Sequence, residues 1–150
     1  MSRAEAGAGT PATRLHGSAV ACDGRAVLIL GRSGSGKSGL VLRMMALGAT
    51  LVADDQVQLE RQGDTLRASA PPSLLGLVEA RGCGLIRVPD VALSATVVLA
   101  VDLDQAPEAR MPQSRDLALL GVDVRLLFGR EVPNLDVVLG VLLRNGHRLA

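Results

Sequence analysis

Gly31-Arg32-Ser33-Gly34-Ser35-Gly36-Lys37-Ser38 has the spacing G-x-x-x-x-G-K-[ST] of a phosphate-binding loop. Each part of that spacing has a chemical reason. Gly31, Gly34 and Gly36 let the backbone turn tightly, so that its N–H groups point inward at phosphate oxygens. Lys37 is a compact positive charge within reach of β- and γ-phosphates, and the Ser38 hydroxyl can meet a magnesium ion. A helix starting here adds the positive end of its dipole to the anion site. The loop implies binding of a nucleoside triphosphate such as ATP.

Further candidates lie on either side of the loop. Asp54 and Asp55 end a strand-like stretch about seventeen residues after Lys37, where a magnesium-organising acid belongs. Adjacent strand residues face opposite ways, so one aspartate is expected to face the metal and the other to orient a nucleophile. A solvated acidic turn is the plainer alternative. His16 precedes Gly17 on a strand expected to join the loop's sheet, where it could orient Asp54 or stand as a surface histidine. Glu79 and Arg81 share one face of an extended segment, which suits metal and phosphate contacts or a surface salt bridge equally.

These residues need particular elements beneath them. Residues 25–30 are a short apolar run of strand type, and residues 39–47 read as a helix stopped by Gly48, so the loop has a strand before it and a helix after it. Residues 14–22 alternate as one further strand, and Asp23-Gly24 marks a hairpin into the next. Residues 50–55 form a third strand. Residues 56–60 and 65–69 make a hairpin around Gln62-Gly63-Asp64. After Pro71-Pro72, Ser73 is a candidate cap for a short segment over 74–78. Residues 95–102 and 123–128 are strands, and 103–116 reads as a polar, exposed and mobile loop. Asn134 is the expected cap of a last helix over 135–143, with Asn145-Gly146 as its stop. The sum is one α/β domain with a mixed sheet over residues 13–150, preceded by a flexible tail over 1–12.

Composition narrows the function. The 150 residues carry a formal charge of +1, which gives no general attraction to nucleic acid or to an anionic membrane. Phe128 is the single aromatic residue, so bases have no aromatic platform to stack on, and the core must be built from aliphatic side chains. Cys22 and Cys83 lack the paired spacing of a zinc site and read as two semi-buried reduced thiols. No stretch is long and apolar enough to span a membrane, and no signal-peptide core stands at the N-terminus, so a cytoplasmic protein is expected.

Taken together, the motifs resemble the catalytic domain of the bacterial HPr kinase/phosphorylase family. The resemblance runs over about residues 14–90, from Leu15-His16-Gly17 through the phosphate loop and Leu51-Val52-Ala53-Asp54-Asp55 to the stretch Glu79–Ile86. It implies a phosphoenolpyruvate carboxykinase-like fold and a short, catalytic-domain-only form. It also implies an ATP- and magnesium-dependent kinase acting on a serine of HPr, the carrier protein of the phosphotransferase system, with reversal by phosphorolysis and a homo-oligomer, hexameric in the family.

Carried over by residue, Lys37 and the loop amides would hold phosphates, and Ser38, Asp55 and Glu79 would organise magnesium. Asp54, supported by His16, would take the serine proton, and Arg81 would contact phosphate. The two aspartate roles could be exchanged. Three positions depart from the family pattern. Cys83 stands where leucine is usual, Ala118-Leu119-Leu120-Gly121 replaces Asp-Arg-Leu-Gly with only Arg115 nearby, and a Pro-Gly-Arg-Asn stretch is reduced to Pro133-Asn134. Beside the kinase stand two other readings: a small-molecule kinase, and an ATP-sensing module that transfers nothing.

Overall fold

The loop's position between a strand and a helix is the centre of the architecture. The computed structural model describes residues 10–146 and 148–149. Along the chain run β1 (Ala12–His16), β2 (Ser18–Cys22), β3 (Arg25–Leu30), α1 (Lys37–Ala46), β4 (Thr50–Ala53), β5 (Gln56–Gln62) and β6 (Thr65–Ser69). They are followed by β7 (Leu77–Ala80), β8 (Gly84–Arg87), β9 (Ala95–Asp102), β10 (Asp116–Leu119), β11 (Val122–Phe128) and α2 (Leu135–Arg144).

One nine-stranded sheet has the order β1-β5-β6-β9-β3-β2-β4, and β11 joins it at β9 and carries β10. β9 runs parallel to β3 and to β11, and the other pairings are antiparallel. On one side of β9, β6 holds its start at Ala95 and Thr96, while β11 holds its end from Leu99 to Asp102. The sheet therefore forks there and curls. β7 and β8 form a separate hairpin.

The alternation of a strand sorts the core into two sides. On β2 and β3, Val20, Cys22, Val27 and Ile29 face α1 and α2, where Leu40, Val41, Met44, Leu139 and Leu143 meet them. Their neighbours Ala19, Ala21, Ala26 and Leu28 face the other way, into the curl, with Val52, Ala53, Leu66 and Ala68. Alanines crowd this inner face because strands that curl toward one another leave little depth for side chains. An aliphatic core built this way needs no aromatic ring.

Several expectations are corrected. Residues 14–22 are two strands, since the chain crosses over at Gly17: β1 pairs with β5, and β2 with β3 and β4. A Cβ at Gly17 would stand 2.9 Å from the Ile29 carbonyl oxygen, so only glycine fits the crossing without displacement. The tail expected over 1–12 falls outside the described residues through 9, and Ala12 already opens β1 opposite Glu60.

The segment expected over 74–78 is a 3-10 turn at Pro72–Leu74, with Ser73 inside it. Leu75 is extended (ψ 126°) and Gly76 turns at φ +75°, which stops any helix and leads into β7. Within 103–116, Leu103 is buried and Asp116 begins β10. The helix after Asn134 is present, but Asn134 sits at φ +56° and makes no capping bond through its side chain. The Asp136 carboxylate accepts the Val137 N–H instead.

Candidate active site

β3 ends at Leu30 and hands the chain to the phosphate loop. Gly31 takes φ +148°, where a Cβ would lie 2.5 Å from Ser35 Oγ, and Gly36 takes φ +102° just before α1. Both positions require glycine. Having no side chain, Gly36 cannot occupy the first N–H groups of α1, which leaves them for an anion. The end of β9 braces the loop, because Asp104 Oδ2 accepts the Arg32 N–H at 2.9 Å and the Leu30 carbonyl accepts the Leu103 N–H at 2.9 Å. Lys37 is buried, and its Nζ donates to the carbonyls of Gly31 (2.7 Å) and Arg32 (3.0 Å). The ammonium is thus fixed over the loop before any phosphate arrives.

Asp54, directly after β4, is only 4% exposed. Its carboxylate accepts from Ser18 Oγ at 2.6 Å, from Ser38 Oγ at 2.9 and 3.0 Å, and from the Glu79 N–H at 3.1 Å. Four segments therefore converge on it: β2, the phosphate loop, its own strand end and β7. Ser18 was missed in the sequence reading. The available signal was a hydroxyl at the head of an otherwise apolar strand, Ser18-Ala-Val-Ala-Cys22, and that hydroxyl is wholly buried.

Asp55 points the other way. Its φ is +73°, and the Gln56 N–H donates to the Asp54 carbonyl at 2.9 Å, so the three residues form a γ-turn with Asp55 at its centre. Such a conformation costs on the order of 1–3 kcal/mol outside glycine. The Gly17 N–H holds the Asp55 carbonyl at 3.1 Å and thereby fixes the turn against the β1–β2 crossing. His16, the last residue of β1, lies with Nδ1 3.6 Å from Asp55 Oδ1. From sequence, His16 is expected either to orient Asp54 or to stand on the surface. The register of β1 on β5, with His16 opposite Gln56, brings it to Asp55 instead.

A cavity of about 250 Å³ gathers His16, Ser18, Lys37, Ser38, Asp54, Asp55, Glu79 and Arg81 around the loop. Every side-chain candidate named from the sequence for catalysis or metal binding lies on it. Glu79 comes from β7 and Arg81 from the turn into β8, so the hairpin walls one side. Among the described residues no group of three or more His, Cys, Asp or Glu side chains forms a ready metal cage. Cys83, in the same turn, is an exposed free thiol, whereas Cys22 is a buried one.

The family model described as HPr Serine kinase C-terminal domain matches residues 9–132. The chain belongs to this family. The HPr kinase/phosphorylase of Clostridium novyi is 35% identical over 147 residues, covering 93% of this chain and 45% of that protein. That of Bacillus licheniformis is 46% identical over 79 residues, covering 52% of this chain and 26% of that protein. The chain thus spans less than half the length of these curated relatives. A solved structure described as the Hpr(Ser) kinase/phosphatase from Coxiella burnetii superposes with a TM-score of 0.75 at 27% identity, covering 89% of this chain and 95% of that one. The curled mixed sheet is accordingly the phosphoenolpyruvate carboxykinase-like fold expected from the sequence.

The departures of this HPr kinase C-terminal domain from its family now have places. Leu120 (φ +51°) and Gly121 (φ +80°) form the turn of the β10–β11 hairpin, and Leu119 and Leu120 pack on the inner core. Arg115 lies over the Phe128 ring at 3.8 Å and pairs with Glu108, and it does not line the cavity. Among the described residues the cavity's cationic side chains are Lys37 and Arg81. No helix is long and apolar enough to cross a membrane among the described residues.

Proposed function

We propose that this chain is the catalytic part of a serine protein kinase that transfers the γ-phosphoryl group of ATP, with magnesium, to a serine of an HPr-type phosphocarrier. One observation carries the reading. Of two adjacent carboxylates, Asp54 is bound to Ser38 beneath the phosphate loop, while Asp55 stands beside His16 on the open side of the same cavity. The contacts favour exchanging the roles expected from sequence, so that Asp54 serves the metal and Asp55 the proton.

The donor set fits magnesium. The Ser38 hydroxyl and the Asp54 carboxylate are hard oxygen donors side by side, with Glu79 on the same cavity. Magnesium at phosphoryl-transfer sites is commonly held by one or two carboxylates plus water and phosphate. When bound, the ion would neutralise charge on the β- and γ-phosphate oxygens. Lys37 and the loop N–H groups hold the phosphates in place. The Asp55 carboxylate takes the proton of the acceptor serine as its oxygen bonds to the γ-phosphorus. The bond from that phosphorus to the β–γ bridging oxygen breaks, and ADP leaves. His16 keeps Asp55 oriented, and Arg81 contacts phosphate from the rim. In phosphorolysis, with inorganic phosphate as the nucleophile, the same carboxylate would take a proton from that phosphate as its oxygen bonds to the phosphoserine phosphorus; the bond to the serine oxygen breaks, the serine regains a proton and pyrophosphate leaves.

The Asp55 and His16 side chains are 65% and 47% exposed, and β8 is exposed throughout. That openness suits a protein acceptor better than a small molecule in a closed pocket. A cytoplasmic homo-oligomer belongs to the same proposal and rests on the family resemblance. The test is the intact mass of the organism's HPr-type carrier after incubation with this protein and Mg-ATP, beside a Lys37→Ala control. A gain of one phosphoryl group, mapped to serine and absent from the control, is expected. No gain with ATP binding intact would favour the ATP sensor or another acceptor.

A further inference from the structure

β4 carries a bulge where it pairs with β2. Val20 stands opposite Leu51, yet Ala19 stands opposite Ala53, which leaves Val52 as an extra residue. Val52 and Ala53 accordingly both pack in the inner core, against the alternation of a regular strand. The extra residue brings Ser18 level with Asp54 and Gly17 level with Asp55. Both levels are bonded: Ser18 Oγ donates to Asp54 Oδ1 at 2.6 Å, and the Gly17 N–H donates to the Asp55 carbonyl at 3.1 Å. One aspartate is thus held through its side chain and the other through its main chain.

We propose that Gly17 is a positioning residue for phosphoryl transfer. Its N–H holds Asp55, and its lack of a side chain sets how closely Asp55 and His16 approach the phosphate loop. This rests on the reading of Asp55 as the group that takes the serine proton. Gly17 does not line the cavity, so it acts through its neighbours rather than on the reacting atoms.

Gly17 has a contact on each side. Toward the acceptor end is Asp55, whose φ of +73° is a strained conformation that persists only where its surroundings hold it. The Gly17 N–H supplies that hold, and Gly17 also directly follows His16. Both members of the His16–Asp55 pair, 3.6 Å apart, therefore hang from one crossing of the chain. Toward the phosphate loop is β3, where a Cβ at position 17 would stand 2.9 Å from the Ile29 carbonyl oxygen and 3.4 Å from Leu30 Cδ2. Gly17 takes no left-handed φ, so space rather than conformation demands glycine here. Ile29 is fixed in the sheet opposite Ser18, so the crossing would have to yield, by about half an ångström to reach ordinary contact. Asp55 and His16 would move with it. Transfer is sensitive to such shifts, since a misplacement of about 1 Å can cost roughly 10²-fold. Nucleotide binding through Lys37, Ser38 and Asp54 stands apart from this crossing.

Two variants separate the parts of the claim. Gly17→Ala adds the Cβ, and an ester in place of the amide between His16 and Gly17 removes the N–H without adding bulk. Mg-ATP affinity, the KM for the HPr-type carrier and kcat are measured for each, beside urea midpoints. Gly17→Ala is expected to lose kcat at least tenfold and the ester at least threefold. Mg-ATP affinity and the carrier KM are expected to stay within about twofold in both. Leu66→Ala, a truncation of the inner core that does not line the cavity, lowers stability and is expected to keep kcat. Where Gly17→Ala does not fold, the ester alone decides. A native kcat in either folded variant, or a loss that Leu66→Ala matches, would overturn the positioning role and leave Asp55 as the base. Transfer at the native rate by Asp55→Asn would overturn the reading of Asp55 itself, and this inference with it.

Discussion

Ser38 Oγ lies 2.9 and 3.0 Å from the two carboxylate oxygens of Asp54, and this contact makes a single site out of separate motifs. It ties the last residue of the phosphate loop to the residue that follows β4. Once Asp54 turns inward to meet Ser38, the γ-turn at its neighbour sends Asp55 outward to His16. Two identical side chains next to one another in the chain thus acquire opposite surroundings.

Ser18 should matter more than a lone buried serine. Its hydroxyl donates the shortest of the bonds to Asp54, at 2.6 Å. Ser18→Ala leaves a buried carboxylate short of a donor, at a cost of about 1–3 kcal/mol in stability. Urea unfolding would show the loss as a lower midpoint. Magnesium-dependent ATP binding should weaken alongside it, because Asp54 is then held less firmly toward Ser38.

Asp104 is expected to act as a brace for the loop. Its Oδ2 accepts the Arg32 N–H at 2.9 Å, while the Arg32 and Gly31 carbonyls accept from Lys37. Asp104→Ala should weaken ATP binding several-fold by releasing that peptide. Asp104→Asn keeps an oxygen acceptor for the N–H and should retain most of the affinity. Calorimetric titration of both variants checks this, and equal losses would show that charge rather than the hydrogen bond is what counts.

The two thiols should behave differently. Cys83 is exposed and should react with a thiol reagent at once, whereas buried Cys22 should react only as the protein unfolds. Burial pushes the Cys22 thiol above its ordinary 9.0, with Asp23 adding to the rise and Arg144 and Arg25 opposing it. The fold therefore favours the neutral thiol. Its contribution to stability is complete below about pH 9.0 and is lost as the pH climbs through the raised value. Urea midpoints measured upward from that pH should fall more steeply for the native protein than for Cys22→Ala.

The sequence made the phosphate loop and its flanks legible because each glycine, the lysine and the serine answer a local demand of phosphate binding. The hairpin at Asp23-Gly24 was legible for the same reason, since turn chemistry is local; Asp23 and Gly24 both take positive φ. What escaped was set by distant contacts. The break of the first strand at Gly17 depends on Ile29, and the partner of His16 depends on the register of β1 against β5. β10 was hidden because its turn uses Leu120 at positive φ, a residue with no turn signature. Ser18 looked like filler in an apolar strand until Asp54 was placed beside it.

The most direct test compares Asp54→Asn with Asp55→Asn for Mg-ATP affinity and for phosphoryl transfer to the carrier in a single turnover. Asp55→Asn is expected to keep Mg-ATP affinity within about twofold and to lose transfer by roughly 10²–10⁴-fold, the usual range for removing a general base. Asp54→Asn should lose magnesium-dependent ATP binding itself. The reverse pattern, with binding lost at Asp55 and kept at Asp54, would contradict the division of labour drawn from the Ser38–Asp54 contact.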